Sequence, residues 1–550
     1  MPIPDRLRDL LTSAPSLSLT DRGGLRHNLL VGLVGVALVG VVEFGLRLAG
    51  ASPPNDLFLR QDLETAAVYV ANPQVTHRFF PPGLRRAPVA APFAAAKTPG
   101  TVRIFVLGAS TLVGFPNPPG TGFPKFLKLM LADAYPEQRF EIVNCGITAV
   151  NSHCLLDFTR EVLGYDADLL IIYAGHNEFA GPYGPSTPFA HGGNARPLIR
   201  AHMFLQRSYL YSALQELAFA LPRWLSGPAP AFNLQLVTEQ VGVFDEAHAT
   251  TVDNFRDNLA DMLTAADRQN VPVLLGTLVS NLKDFHPLRS VCGATGGPEG
   301  LRIGETIVGL NGHTGATENY LRSVLQEAPE CAAAHFELGR LYLGTGRPAQ
   351  ARAAFVTARD LDRLPLRAPS ILNQVVRDAG RTDGSVVVSD VEAAFSDASP
   401  GGIVGNELLT EYLHPTVRGH YVLGRTLVTG LPAFAAAQGW GQMRPSAIRS
   451  FEEYRALLGT TGLAEALARN NLILFLINMP YSSPPIILRE RVADLIEAQI
   501  DAVVGLPAAQ RQQFLGRGGA AFLAQAAGFA PGARQPHLQA LVARLQRDRG

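Results

Sequence analysis

The sequence predicts an α/β fold built on a parallel sheet. Three short runs, Ile104 to Leu107, Glu141 to Val143 and Asp168 to Tyr173, read as strands, the first as a parallel strand covered on both faces. Stretches of helical spacing separate them, Pro124 to Ala134 and one ending near Leu163. That alternation belongs to parallel sheets with right-handed crossovers. Each run also ends in a small-residue turn that carries a polar side chain. These turns are Gly108-Ala109-Ser110, Asn144-Cys145-Gly146-Ile147-Thr148-Ala149 and Gly175-His176-Asn177-Glu178. Open α/β sheets bind ligands at the carboxyl ends of their strands, so the three turns are expected to line one crevice.

The 550 residues suffice for several domains, and a hydrophobic content of 47% suits a large core. Lys+Arg and Asp+Glu both number 47, so no basic field exists for nucleic acid and no such motif appears. Cys145, Cys154, Cys292 and Cys331 fit no zinc spacing and are too sparse for a disulfide scaffold. Two readings stand for them: one or two bridges in an exported domain, or buried thiols.

In chain order, the first element is an apolar span from Leu29 to Ala49, 21 residues where about 20 cross a bilayer. Glu43 and Arg47 interrupt it. They stand four apart on one helical face and can pair near the span's end. Arg6, Arg8, Arg22 and Arg26 precede the span, so the amino terminus is expected in the cytoplasm and the bulk of the chain outside. A cleaved signal peptide is the competing reading. Residues 50–100 are rich in Pro and Ala and read as a spacer that lifts the body off the membrane.

Ser110 follows a buried strand and the Gly108 turn. Much later, Glu411-Tyr412-Leu413-His414-Pro415 precedes a helix from Gly419 to Val428. Glu411 and His414 are three apart, so one turn supplies an acid–base imidazole and a carboxylate to orient it. Taken together, the four blocks resemble the SGNH, or GDSL-type, esterases. In that family the first block is Gly-Asp-Ser, and here Ala109 replaces the Asp. The second is Asn-x-Gly-x-x-Gly, matched by Asn144, Gly146 and Ala149, with Ala in the last place. The third is Gly-x-Asn-Asp, here ending in Glu178, and the last is Asp-x-x-His, here beginning with Glu411. The resemblance covers about Thr101 to Thr429, apart from an insertion.

The resemblance implies a flavodoxin-like, three-layer SGNH-hydrolase sheet and a Ser-His-Glu triad of Ser110, His414 and Glu411. It also implies an oxyanion hole from the amides of Ser110 and Ala149 and the side chain of Asn177. His414 would take the Ser110 proton, and Ser110 would attack an ester carbonyl. His176 lies inside the third block and is a candidate substrate contact. The loop Ser280-Asn281-Leu282-Lys283-Asp284, between the Val271–Thr277 strand and His286, is the second choice for substrate contacts, through Asp284. Asp166 and Asp168 precede a strand, at the wrong end of the sheet, and read as solvated. No cofactor is implied, and no His or carboxylate set has metal-ligand spacing.

Leu338, Gly339, Tyr342, Ala351, Phe355 and Ala358 recur at tetratricopeptide-repeat offsets, and Tyr320 to Pro329 resembles part of a degenerate unit. So short an array must lean on the body. It reads equally as a helical cap and as a docking surface for a protein partner. After about Gly441 the pattern is helical, with no chemistry assigned. The expected organisation is a cytoplasmic segment 1–28, a membrane helix 29–49, a spacer 50–100 and a first hydrolase part 101–290. A repeat-like insertion 300–365, a second hydrolase part 366–440 and a helical extension 441–550 complete it. The expected activity is that of a membrane-anchored esterase or deacylase acting on O-acyl groups, envelope glycans included. Acyl transfer to a glycan by the same triad, and an inactive scaffold, are the alternatives.

Overall fold

The computed structural model describes residues 22–49, 56–64, 66–81, 84–118, 121–187, 194–226, 239–293, 303, 313–459, 461–481 and 486–547. Residues 1–21 of the expected cytoplasmic segment, 50–55 of the spacer, and 300–302 and 304–312 of the insertion lie outside them. The chain divides into two compact units. One combines Met1–Pro54 with His202–Pro228, and the other Asn55–Ala201 with Ala229–Gly550.

The larger unit is an α/β body. Among the described residues eight strands run in chain order: β1 Phe58–Asp62, β2 Ala67–Ala71, β3 Phe93–Ala94, β4 Thr101–Gly108, β5 Arg139–Asn144, β6 Leu169–Tyr173, β7 Val273–Gly276 and β8 Val386–Ser389. The last five form a parallel sheet in the order β5-β4-β6-β7-β8, with Ile104 opposite both Ile142 and Leu169. This is the doubly wound, flavodoxin-like order, whose crevice opens where the first strand parts from the third. The helices Phe123–Ala134 and Val417–Thr429 pack together, as do Ser152–Val162 and Glu246–Asp267. Ile104, Phe105, Leu170 and Ile171 between these layers are fully buried, as strands covered on both faces require.

Two glycines set the crevice. A side chain at Gly108 would put its Cβ 2.4 Å from the Tyr173 carbonyl oxygen. One at Gly146 would come within 2.7 Å of Leu112 Cβ. Only glycine lets the Ser110 turn, β6 and the second block approach this closely.

The described residues within 56–100 do not form the spacer expected from the prolines of 50–100. β1, β2 and β3 make a three-stranded antiparallel sheet that packs on the α/β body. Phe93 sits 4.9 Å from Phe58 and 5.7 Å from Phe105, ring to ring. Glu161 accepts the amides of Leu57 and Phe58. The fully buried Arg103 donates to Ala94 O and Tyr165 O and pairs with Glu141. The prolines at 81, 88 and 92 fall between strands, where their missing N–H groups disturb no ladder.

The insertion is a set of helices, Thr314–Glu327, Ala332–Gly344 and Pro348–Asp360. Gly339 admits the Phe355 ring, which a Cβ would meet at 2.7 Å. Its core also takes Leu282 and Ile403 from the α/β body, so the insertion leans on that body. A disulfide joins Cys292 to Cys331, the residue that caps the Ala332–Gly344 helix, while Cys145 and Cys154 are buried free thiols. The helices Gly462–Ile477, Ile486–Val504, Ala508–Gly516, Gly519–Ala527 and Gln535–Arg547 share one core. That core includes Phe285, Leu288, Tyr412 and Leu413.

The smaller unit contains the helix Arg22–Leu48, whose 27–48 stretch is long and apolar enough to cross a membrane and is exposed except at the half-buried Glu43 and Leu46. The helix Tyr209–Ser226 packs against it.

Candidate active site

Ser110 opens a four-residue helix, Ser110–Val113, directly after β4. Asn144, at the end of β5, ties that helix to the second block: its amide donates to Leu112 O, and its Oδ1 accepts Gly146 N. Ser110 Oγ lies 2.6 Å from His414 Nε2. Glu411, fully buried, accepts from both the backbone N–H and Nδ1 of His414 through Oε1. The Nδ1 bond fixes the tautomer, since an imidazole that donates from Nδ1 leaves Nε2 to accept from a hydroxyl. The structure thus brings Ser110, just after β4, together with His414, 304 residues away, and Glu411, both in the turn before the Val417–Thr429 helix.

Ala149 has φ +66°, the left-handed conformation in which glycine is usual. Its N–H and that of Ser110 donate to no protein acceptor among the described residues. Asn177 holds Val150 O at 2.9 Å with its amide nitrogen, which keeps a second N–H in reserve. Glu178 instead works inward. Its two oxygens accept Ser152 N and Ser152 Oγ, and burial pushes its carboxyl up to about 7.

His176 and Asp284 have no hydrogen bond or ring contact to Ser110 or His414 among the described residues. His176 is buried and accepts Ala368 N at Nδ1. Burial, with smaller contributions from His414 and Arg359, lowers its pKa to about 3. Asp284 Oδ2 accepts Asn406 N, so it ties two loops together. His286 faces the insertion, with its ring 4.9 Å from that of Phe336. Asp168 pairs with Lys97 and accepts Arg103 N, at the far end of the sheet.

Several contributors escape a reading of local motifs. Asn281 belongs to the loop expected to line the crevice, but its role is a distant one: its backbone N–H donates to Tyr412 O, inside the Glu411–His414 turn. Arg367, buried, donates to Asn281 O and Phe285 O and stacks 5.2 Å from the Tyr412 ring. Phe475, from the helix Gly462–Ile477, stands 5.8 Å from the His414 ring and 5.3 Å from Phe115, which is itself 4.8 Å from His414. Asn471 of the same helix donates to Pro116 O. The helical extension therefore walls the imidazole. His420, one turn into the following helix, is fully buried, and burial together with His414 lowers its pKa to about 3.

Among solved structures, the chain is similar to an acetylxylan esterase from Geobacillus stearothermophilus: 15% identity, 62% of this chain and 97% of that one covered, TM-score 0.27. It is also similar to LAE5, an alpha/beta hydrolase enzyme from the metagenome of Lake Arreo, Spain: 14% identity, 65% and 99% covered, TM-score 0.26. At TM-scores of this size the likeness carries no argument about activity. No curated protein matches the sequence. Residues 310–368 match the tetratricopeptide-repeat family model, and this segment is a tetratricopeptide-repeat element set into an α/β body.

Proposed function

We propose that the chain is a serine esterase that hydrolyses O-acyl esters with Ser110 as nucleophile, His414 as general base and Glu411 as its orienting carboxylate. The 2.6 Å contact between Ser110 Oγ and His414 Nε2, with Glu411 on the opposite ring nitrogen, carries this reading. His414 takes the hydroxyl proton as Oγ attacks the ester carbonyl, then delivers it to the leaving alcohol. Water, deprotonated by the same imidazole, cleaves the acyl-enzyme and regenerates Ser110. The N–H groups of Ser110 and Ala149 and the spare N–H of Asn177 receive the oxyanion. Ala109 and Ala149 do not weaken this reading. A backbone amide survives the change from Gly to Ala, and the residue at 109 contributes no side chain to the triad.

The apolar helix within Leu29–Ala49 is read as an anchor with the amino terminus in the cytoplasm and the Ser110 body outside. The Cys292–Cys331 bridge supports an oxidising location, where O-acylated envelope glycans are the substrates within reach. The tetratricopeptide-repeat element braces the body and is the candidate site for a protein partner.

The test is labelling by a serine-directed fluorophosphonate, with turnover of p-nitrophenyl acetate. Wild type should label at Ser110 and turn over, while Ser110→Ala and His414→Ala should do neither. Absence of labelling in the folded wild type would return the chain to the inactive-scaffold reading. For topology, alkaline phosphatase fused after residue 100 should be active. An inactive fusion would reverse the orientation.

A further inference from the structure

Within the smaller unit, Glu43 has more partners than the neighbouring Arg47. Its Oε1 accepts from Arg47 Nε at 2.8 Å and from Tyr209 N at 3.0 Å. Its Oε2 accepts from Ser208 Oγ at 2.9 Å and from Leu210 N at 2.8 Å. Ser208 Oγ in turn accepts Tyr211 N, and the Arg47 guanidinium lies 5.0 Å from the Tyr209 ring centre. The carboxylate inside the apolar span is thus the acceptor for the first turn of the helix Tyr209–Ser226, where unpaired amides need one.

This geometry fixes a depth. A hydrocarbon core takes about 20 residues, so a span beginning at Leu29 ends near Leu48. Glu43 lies five residues before that end, about 7 Å at 1.5 Å per residue. Tyr209 and Leu210, bonded to it, must lie at the same level, about 7 Å below the boundary between acyl chains and headgroups. The second helix suits that level. Its 18 residues carry charges only at Glu216 and Arg223, and tyrosines stand at 209 and 211. Leu214 and Leu217, three apart on one face, are 55% and 63% exposed, and Phe204 just before the helix is 72% exposed. Apolar side chains with tyrosines at the rim are what an interfacial helix presents to lipid.

We infer that the helix Tyr209–Ser226 is a second membrane element, lying just inside the acyl–headgroup boundary of a phospholipid bilayer and held there by Glu43. The inference rests on the reading of residues 29–49 as an anchor. The chain then meets the bilayer in two separate segments of the smaller unit.

The test uses the full chain in phosphatidylethanolamine/phosphatidylglycerol vesicles, with an environment-sensitive fluorophore on Leu217→Cys and, as control, on the exposed Lys128→Cys. Lipids carrying a nitroxide at acyl carbon 5 should quench the Leu217 label at least fivefold more than the control, and iodide should quench it less. A Leu214→Cys label should behave alike. Glu43→Leu leaves the span more apolar but removes all four acceptor bonds. It should at least halve lipid quenching while the chain still resists carbonate extraction. Labels as open to iodide as the control, in a chain that resists carbonate, would overturn the inference and leave the anchor standing. Lipid quenching unaltered in Glu43→Leu would overturn the role of Glu43. Release of the wild-type chain by carbonate would overturn the anchor reading and the inference with it.

Discussion

Glu411→Gln isolates what the buried carboxylate does. The amide keeps the shape and can still accept the His414 backbone N–H, so the turn should hold. What disappears is the negative charge beside the imidazolium that forms as Ser110 loses its proton. Glu411 is fully buried. At a separation of about 4 Å and an effective dielectric of about 20, the lost attraction is about 4 kcal/mol. At 1.36 kcal/mol per tenfold, that is about a thousandfold in rate. The loss should fall on kcat, because charge on His414 develops only on the way to the transition state. The assay is p-nitrophenyl acetate turnover from pH 6 to 9 for wild type, Glu411→Gln and Ser110→Ala, with thermal melting to certify the fold. Tm should stay within a few degrees of wild type. A Glu411→Gln enzyme within tenfold of wild type across that range, beside an inactive Ser110→Ala, would refute the role given to this carboxylate.

Three further outcomes are expected. Glu178 binds its proton more tightly in the folded chain, near 7 against an ordinary 4.5. Its protonation therefore favours the fold fully below about pH 4.5, and that advantage is lost as pH rises through 7. Wild type and Glu178→Gln should accordingly diverge by about 3 kcal/mol between pH 4.5 and 8 in urea unfolding, and parallel curves would contradict this. Phe475→Ala removes a half-buried ring from beside His414. It should cost about 2 kcal/mol, less than the 3–5 of a fully buried Phe, and lower turnover. Unchanged melting and unchanged turnover would mean that the helical extension does not support the imidazole. Replacing Cys292 and Cys331 by serine should cost up to about 4 kcal/mol, the loop-closure value for their separation of 39 residues. Four titratable thiols in the denatured, unreduced chain, instead of two, would rule the bridge out.

What could be read from the sequence was local. Strands β4 and β6 stand out because four or five apolar residues precede a polar turn, β5 because Ile142 and Val143 do so after Glu141, and the turns carry Ser110, Asn144 and Asn177. Glu411 and His414 stand out because a spacing of three places both on one turn. The contacts that crowd the site were invisible because they join segments far apart: Phe475 and Asn471 reach the Phe115–Pro116 loop across more than 350 residues. The residues 50–100 misled because prolines dominate the composition while aromatic residues decide the packing. Phe58 and Phe93 hold a sheet against β4 whatever the loops between them contain. Sequence spacing pairs Glu43 with Arg47 four residues on, but it cannot reveal a second helix more than 160 residues away whose amides the carboxylate also accepts.

The wall that Phe475 builds beside His414 has a consequence for synthesis. The chain emerges from its amino end, so the Ser110 strand is made early, the imidazole 304 residues later, and Phe475 later again. At about 5–20 residues per second, the interval from His414 to the end of the Gly462–Ile477 helix lasts several seconds. During that interval the growing chain holds a serine and a histidine but not the ring that packs on both the imidazole and Phe115. Tyr412 and Leu413 likewise lack the helices that bury them. A nascent or prematurely terminated product would carry Ser110 without the ring that buttresses His414. Reactivity toward esters would be the last property to mature, after the segment read as the anchor is already in place.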